Sequence, residues 1–396
     1  MPPPERAGTA REGVLEGTCT RRGVTRATTA EDAAEDLFRA LSGPGTSLVM
    51  VFCSAEMDLS AFSAALRRRF GDVPVIGCTT AGELGPGGYM RGGAVGLSLS
   101  APDFHAASER IDNLAAFTMA QGHEVVRHAL QRLERQMPGL RRDQIFAMVL
   151  IDGLSICEET VVSSLHGALG EIPLFGGSAA DSLRFQKTPV LYDGEFRSNS
   201  AVFTLIACRH PFRVFKTEHF AGYGEKMVVT EADPTRRVVN EINAEPAARE
   251  YARLIGLEME DLTPQIFAAR PVVVRVGGMN FVRSIQKVNP DESLTFFCAI
   301  DEGIVLTLAR GSTDITQDLL RLFDRLRDEM GPPGLVIGCD CILRYLELEQ
   351  HQLLGRAGRI MAENNVIGFS TFGEQFQAMH VNQTFTGVAI AASGRS

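Results

Sequence analysis

Two stretches of this 396-residue chain repeat one arrangement of small, hydroxyl and acidic residues. Gly77-Cys78-Thr79-Thr80-Ala81-Gly82-Glu83 and Gly368-Phe369-Ser370-Thr371-Phe372-Gly373-Glu374 share the order glycine, any residue, hydroxyl residue, threonine, any residue, glycine, glutamate. A weaker third copy, Gly176-Gly177-Ser178-Ala179-Ala180-Asp181, carries an aspartate offset by one place. Glycine admits a positive φ or a close backbone approach, and the hydroxyls and exposed amides can hydrogen-bond a polar ligand. Glu83, Asp181 and Glu374 would form a carboxylate cluster if the copies converge, suited to binding an ammonium group or to proton transfer. In any one copy, tight turns and helix caps explain the same residues; the acid recurring in place argues for binding. His380 and Asn382 closely follow the last copy and join the candidate ligand contacts.

Other chemistries lack their motifs. There is no phosphate-binding Gly-x-x-x-x-Gly-Lys-Ser/Thr, and the glycines from Gly85 to Gly93 do not fit Gly-x-Gly-x-x-Gly. No Gly-x-Ser-x-Gly elbow occurs. Cys339 and Cys341 lack the spacing and partner pair of a structural zinc site. Cys53, Cys78 and Cys339 close apolar runs, where a thiol is either a small buried residue or a nucleophile beside a helix N-terminus. An enzyme using such a thiol, or the acid cluster, is therefore one alternative.

The motifs need elements to hold them. The run 48–52, a helix over 59–70 and a strand over 73–77 read as a βαβ unit with a parallel pair. The same order returns at 146–151, 158–169 and 172–175, and again at 334–337, 343–363 and 365–368. Each repeated motif thus closes a parallel strand, and the carboxyl ends of parallel strands are where α/β proteins bind ligands. Between the units the pattern alternates with period two. Asp193-Gly194 marks a hairpin, and 282–288, 294–300 and 304–308 read as antiparallel strands. The expected fold is mixed α/β: two duplicated lobes with parallel βαβ units plus antiparallel meanders.

The length calls for more than one core. The net charge of −9 argues against nucleic-acid binding, which needs clustered Lys and Arg. No run of about 18 apolar residues is present, so no membrane insertion is expected. Eight cysteines are scattered singly behind no secretory leader, pointing to reduced thiols and a cytoplasmic setting. Residues 1–25, without periodicity, read as a disordered tail.

The Ile-Gly-Cys-Thr-Thr-Ala-Gly-Glu stretch, the strand ending Phe52-Cys53-Ser54, and Gly368 to Glu374 followed by His380-Val381-Asn382-Gln383-Thr384 together resemble the FIST domains of bacterial and archaeal signal transduction. The resemblance divides the chain into an N-terminal lobe over 26–225 and a C-terminal lobe over 226–396. It implies a sensory protein that binds a small ligand and, with no output domain read in this chain, regulates a separate histidine kinase or diguanylate cyclase. Its stand-alone form is similar to NosP-type haemoproteins, which implies haem b and nitric oxide as one ligand reading; an amino-acid-like metabolite is the other. Haem iron needs an axial donor, and His380 is the first candidate, with His210 and His219 behind it.

Overall fold

The strand Thr20–Thr25, paired with the short strand Gly13–Val14, is followed by the helix Ala30–Leu41, capped by Thr29, whose hydroxyl accepts from the Asp32 amide. The computed structural model describes residues 13–14, 19–217, 219–276, 278–311 and 314–392. Most of the expected tail lies outside these residues, but residues 20–25 do not belong to a tail: they form a strand paired antiparallel with Ala94–Ser100.

From there one plan is executed three times. A strand and a helix lead into a βαβ unit, a short hairpin and a final antiparallel strand. In the first unit the parallel pair is Thr46–Ser54 and Val75–Thr80, bridged by Leu59–Phe70. In the second it is Ile145–Ile151 and Leu174–Ser178, bridged by Glu158–Leu169. In the third it is Pro333–Cys341 and Val366–Thr371, bridged by two helices, Ile342–Gln350 and Leu354–Glu363, where one helix was expected. The weak third copy of the motif therefore belongs to a full structural unit, and the duplicated lobes become three repeats.

The hairpins are exchanged. Glu83–Gly85 with Gly88–Met90, from the first unit, extends the third unit's sheet by pairing with Val366–Thr371. Val190–Tyr192 with Glu195–Arg197, from the second, extends the first unit's sheet. Glu374–Phe376 with Met379–Val381, from the third, extends the second unit's sheet. The turn expected at Asp193-Gly194 is present, both residues taking positive φ (47° and 74°).

The three sheets turn one face toward a shared core of Leu48, Met50, Phe52, Phe146, Met148, Leu335, Ile337 and their neighbours, where Phe52 stacks on Phe369 at 4.5 Å. Their outer faces are covered by separate helix pairs, as with Leu37 and Leu66 on the first sheet and Val126 and Leu165 on the second. Gly77, Gly176 and Gly368 hold equivalent places in this frame. A Cβ there would sit 1.8, 2.0 and 1.8 Å from the carbonyl oxygens of Val51, Val149 and Gly338 on the adjacent strand. Close strand approach is why the motif begins with glycine.

Between the first strand of the third unit, Phe212–Lys216, and its first helix, Ile315–Met330, lies an inserted antiparallel sheet whose strands run from Phe220–Asp233 to Val305–Gly311. The lobe boundary expected at 225/226 falls inside its first strand. The sheet builds its own core, with Tyr251, Phe267 and Phe296, beside the helices Ala247–Ile255 and Pro264–Ala269.

Candidate functional site

The motifs meet at one end of the three-sheet assembly. Main-chain hydrogen bonds link them head to tail: Ala81 donates to the Ser370 carbonyl (2.9 Å), Ala180 to Thr79 (3.0 Å), and Phe372 to Ser178 (3.3 Å). The three donors are equivalent residues, as are the three acceptors, so the motif backbones close a ring. Ala81, Ala180 and Phe372 form an apolar cap there with Phe297 and Ala268 of the inserted region.

Side chains leave this ring in two directions. Toward the core side, Thr80 donates to Glu83 Oε1 (2.6 Å), and Thr371 donates to Glu374 Oε1. Glu374 Oε2 accepts from the Thr384 amide (3.1 Å) and hydroxyl (2.7 Å). Burial pushes the Glu83 carboxyl up to about 7 and that of Glu374 up to about 8, against the opposing pull of these hydroxyls. Asp181 does not join them. The second unit carries extra residues before its hairpin, so register puts Val190 in the glutamate's place. The Asp181 carboxylate instead accepts from the amides of Phe185, Gln186 and Lys187 at 2.7–2.9 Å and folds that loop. The expected three-acid cluster is therefore not formed: Glu83 and Glu374 each hold their own partners, and Asp181 is a loop cap. Cys78 lies in the shared core, and a Cβ on Gly177 would press on Phe369, Thr371 and Cys339 at 2.8–3.1 Å.

Toward the helices, the third motif residues Thr79, Ser178 and Ser370 are buried in three separate polar clusters. Ser178 is fully engaged: its hydroxyl donates to Glu158 (3.3 Å) and accepts from Gln375 Nε2 (2.9 Å). The same cluster holds Arg237 of the inserted region, which donates at 2.6 Å to both Glu158 and Glu159. His380 is buried there with both ring nitrogens in use, Nε2 on the Phe297 carbonyl (3.1 Å) and Nδ1 with Gln375 Nε2 (3.2 Å). Burial holds its pKa below the usual imidazole range. As an axial haem ligand His380 does not fit, since iron would displace one of these bonds in a close-packed wall; a Cβ on Gly373 would already lie 2.3 Å from its ring. Asn382 Oδ1 accepts from the Ser284 amide (3.4 Å). His210 lies at the opposite end of the strands, 3.0 Å from Asp103. His219 is taken by two carboxylates, Asp318 on Nδ1 and Glu347 on Nε2.

The buried cluster of the third unit differs. Arg344 is the largest fully buried side chain, at 0% exposure, in the first turn of Ile342–Gln350. Its Nε donates to Asp340 Oδ1 (2.7 Å), and Tyr89, from the exchanged hairpin, donates to Asp340 Oδ2 (2.7 Å). Burial alone would lower the guanidinium's pKa, but Asp340, Tyr89 and Glu347 outweigh it and raise it. Burial raises that of Asp340. Among the described residues, neither Arg344 terminal nitrogen has a hydrogen-bond partner, and the same holds for Ser370 Oγ and Glu347 Oε2. Sequence reasoning flagged Ser370 but missed Arg344, Tyr89 and Glu347. The available signal was an arginine four residues after an aspartate at a strand-to-helix junction.

The thiols give no support to a nucleophile: Cys53, Cys78 and Cys339 are buried, and burial pushes each up. No cluster of three or more His, Cys, Asp or Glu residues suited to a metal occurs among the described residues. No helix among them is long and apolar enough to cross a membrane.

The FIST N domain matches residues 47–245 and the FIST C domain residues 247–377. The chain belongs to the FIST family. FIST domains are sensory modules of signal transduction, and this chain carries both halves. An uncharacterized protein of Methanocaldococcus jannaschii is 23% identical over 360 residues, covering 81% of this chain and 69% of its own length. Two cyanuric acid hydrolase structures, one from A. caulinodans, align over 95% and 94% of this FIST chain and 98% and 99% of theirs. Their TM-scores of 0.35 and identities of 12% and 9% are too low to bear on function.

Proposed function

We propose that this FIST chain is a sensor of a small polar metabolite, bound at the carboxyl ends of the third unit's strands and signalled to a separate partner, a histidine kinase or diguanylate cyclase. The observation that carries this reading is the collection of buried polar atoms without partners among the described residues at that end: both terminal nitrogens of Arg344, Ser370 Oγ, Glu347 Oε2, Asn382 Nδ2 and Gln383 Oε1. Buried polar groups in folded proteins are normally paired, and an unmet one costs about 1–3 kcal/mol. A ligand that meets several at once recovers part of that cost.

The inserted sheet supplies the responsive part. Ala268 and Phe297 cover the strand ends, and the helix carrying Ala268 packs on the helix that carries Arg344. A ligand held beneath them favours the closed arrangement only through tighter binding to it, and unequal partner affinity for open and closed forms converts that bias into output. Haem is the less supported ligand, because His380 is already bonded at both nitrogens.

The experiment is a metabolite screen by thermal shift on the full chain, with hydrogen exchange over residues 220–311 for every compound that stabilises it. The expected result is a small polar binder that protects this segment. Haemin giving a strong Soret band, with no polar binder, would replace this reading with the haem one.

A further inference from the structure

We propose that His219 is a proton-operated pin: charged, it fastens the neck of the inserted sheet to the third unit's helices, and on losing its proton it lets that neck open. His219 stands at the start of the insertion, next to Phe220, which pairs with Gly311 at the insertion's end. Gly311 is packed so close that a Cβ there would sit 2.5 Å from His219 Nε2. Both strands of the neck therefore pass this one ring. The ring's partners belong to neither strand: Asp318 comes from the helix Ile315–Met330 and Glu347 from Ile342–Gln350.

Charge state decides whether the pin holds. Nδ1 faces Asp318 and Nε2 faces Glu347 Oε1 at 3.0 Å, with the imidazole at 0% exposure. A neutral imidazole has one N–H and one lone pair. One carboxylate would then face a lone pair in a buried setting, a repulsive and unmet contact. The imidazolium donates to both carboxylates at once. Burial pulls the ring's pKa down and Arg344 adds to that, yet Glu347 and Asp318 outweigh them and leave it above the usual 6.5.

The neighbouring cations leave this arrangement intact. Arg321, on the helix of Asp318, binds that carboxylate's other oxygen (Oδ1, 3.2 Å), and Arg344 donates to Asp340 and not to Glu347. On the adjoining elements Lys216 lies over the Phe281 ring, Arg310 over Tyr223, and Asp314 pairs with Arg356. A histidine whose pKa is raised on folding contributes fully below its unfolded value of 6.5, and the contribution is lost as pH rises through the folded value. Acid thus fastens the neck and base loosens it. The insertion holds Ala268 and Phe297 over the strand ends, so a loosened neck weakens that cover; its consequence for sensing rests on the metabolite-sensor reading.

The test is hydrogen exchange on the full chain without ligand, corrected for intrinsic rates, comparing wild type with His219→Gln from about pH 6 to 9. Glutamine can donate to one carboxylate and has no proton to lose. In wild type, protection of Phe220–Asp233 and Val305–Gly311 should hold up to 6.5, then fall by roughly threefold to tenfold and level off once the ring is neutral. His219→Gln should start lower and stay flat, while the strand Thr46–Ser54 of the first unit should behave alike in both proteins. In nitrogen-15 spectra, the histidine ring signals that this variant lacks should titrate above 6.5 in wild type. Should His219→Gln fail to fold, Asp318→Asn replaces it: with one carboxylate gone the fall moves to lower pH. Parallel profiles in wild type and variant, a fall shared equally by Thr46–Ser54, or a His219 ring titrating at or below 6.5 each overturns the pin. All of this is read without ligand, so an empty metabolite screen leaves the pin standing, and flat profiles leave the sensor reading standing.

Discussion

Glu374 is fully buried, and changing it to glutamine gives a quantitative test of the ring that the repeats form. Its carboxyl is pushed up from 4.5 to about 8, chiefly by burial. A group whose pKa is raised on folding stabilises fully below its unfolded value, and that stability is lost as pH rises through the folded value. For Glu374 the window runs from 4.5 to about 8, and at about 1.4 kcal/mol per pH unit the loss amounts to about 5 kcal/mol. Glutamine has the same shape and no charge to desolvate: its oxygen can accept from Thr384 and its amide can donate to the Thr371 hydroxyl. Urea unfolding of wild type and Glu374→Gln across pH 4.5 to 9 should therefore diverge. Near pH 4.5 the variant should be equal or slightly weaker. By pH 9 it should be the more stable by several kcal/mol, and titrating groups not coupled to Glu374 cancel in the difference. Parallel pH profiles would refute the argument, meaning that Glu374 is ionised and well solvated in the folded protein.

Four further outcomes are expected. Gly77→Ala, Gly176→Ala and Gly368→Ala should each lose about 3 kcal/mol or more or fail to fold, because their Cβ atoms meet a carbonyl oxygen at 2.0 Å or less; Gly87→Ala, with nothing within 4 Å, should be neutral by thermal denaturation. Asp181→Ala should remove the acceptor of three amides, cost about 1–3 kcal/mol, and make the 182–189 loop the first site of limited proteolysis. Phe369→Ala should cost about 3–5 kcal/mol by removing the partner of Phe52 from the shared core. If haemin binds at all, His380→Ala should leave its Soret band unchanged; a clear shift would reinstate this histidine as a ligand.

The local elements were legible because their signals are local. Asp193-Gly194 announced a hairpin, and the glycine-hydroxyl-threonine-acid order a strand end; each appears where expected. What the sequence could not convey is which strands pair across long separations. Glu83 pairs with Phe369, and no residue near Glu83 specifies a partner that distant. Hence three repeats were read as two halves, and Asp181 was aligned with an acid whose register position belongs to Val190. The candidate site fared the same way. Ser370 was found because it lies in a repeated motif, whereas Arg344 and Tyr89 gain their meaning only when an exchanged hairpin brings them to Asp340.

That exchange also bears on how the chain is made. The first hairpin, Glu83–Met90 by residue number, cannot take its place until Val366–Thr371 has been synthesised, some 280 residues later. At about 5–20 residues per second on the ribosome, the wait is roughly 15–60 s. During that interval a short strand edge stands bare, carrying Leu84, which ends fully enclosed beneath the last unit's helices. The nascent first unit is thus a lock waiting for its key, open to mispairing with neighbouring chains on the same message. A truncation anywhere before residue 366 leaves this edge uncapped, so early termination products should be cleared or aggregate instead of persisting as a stable fragment.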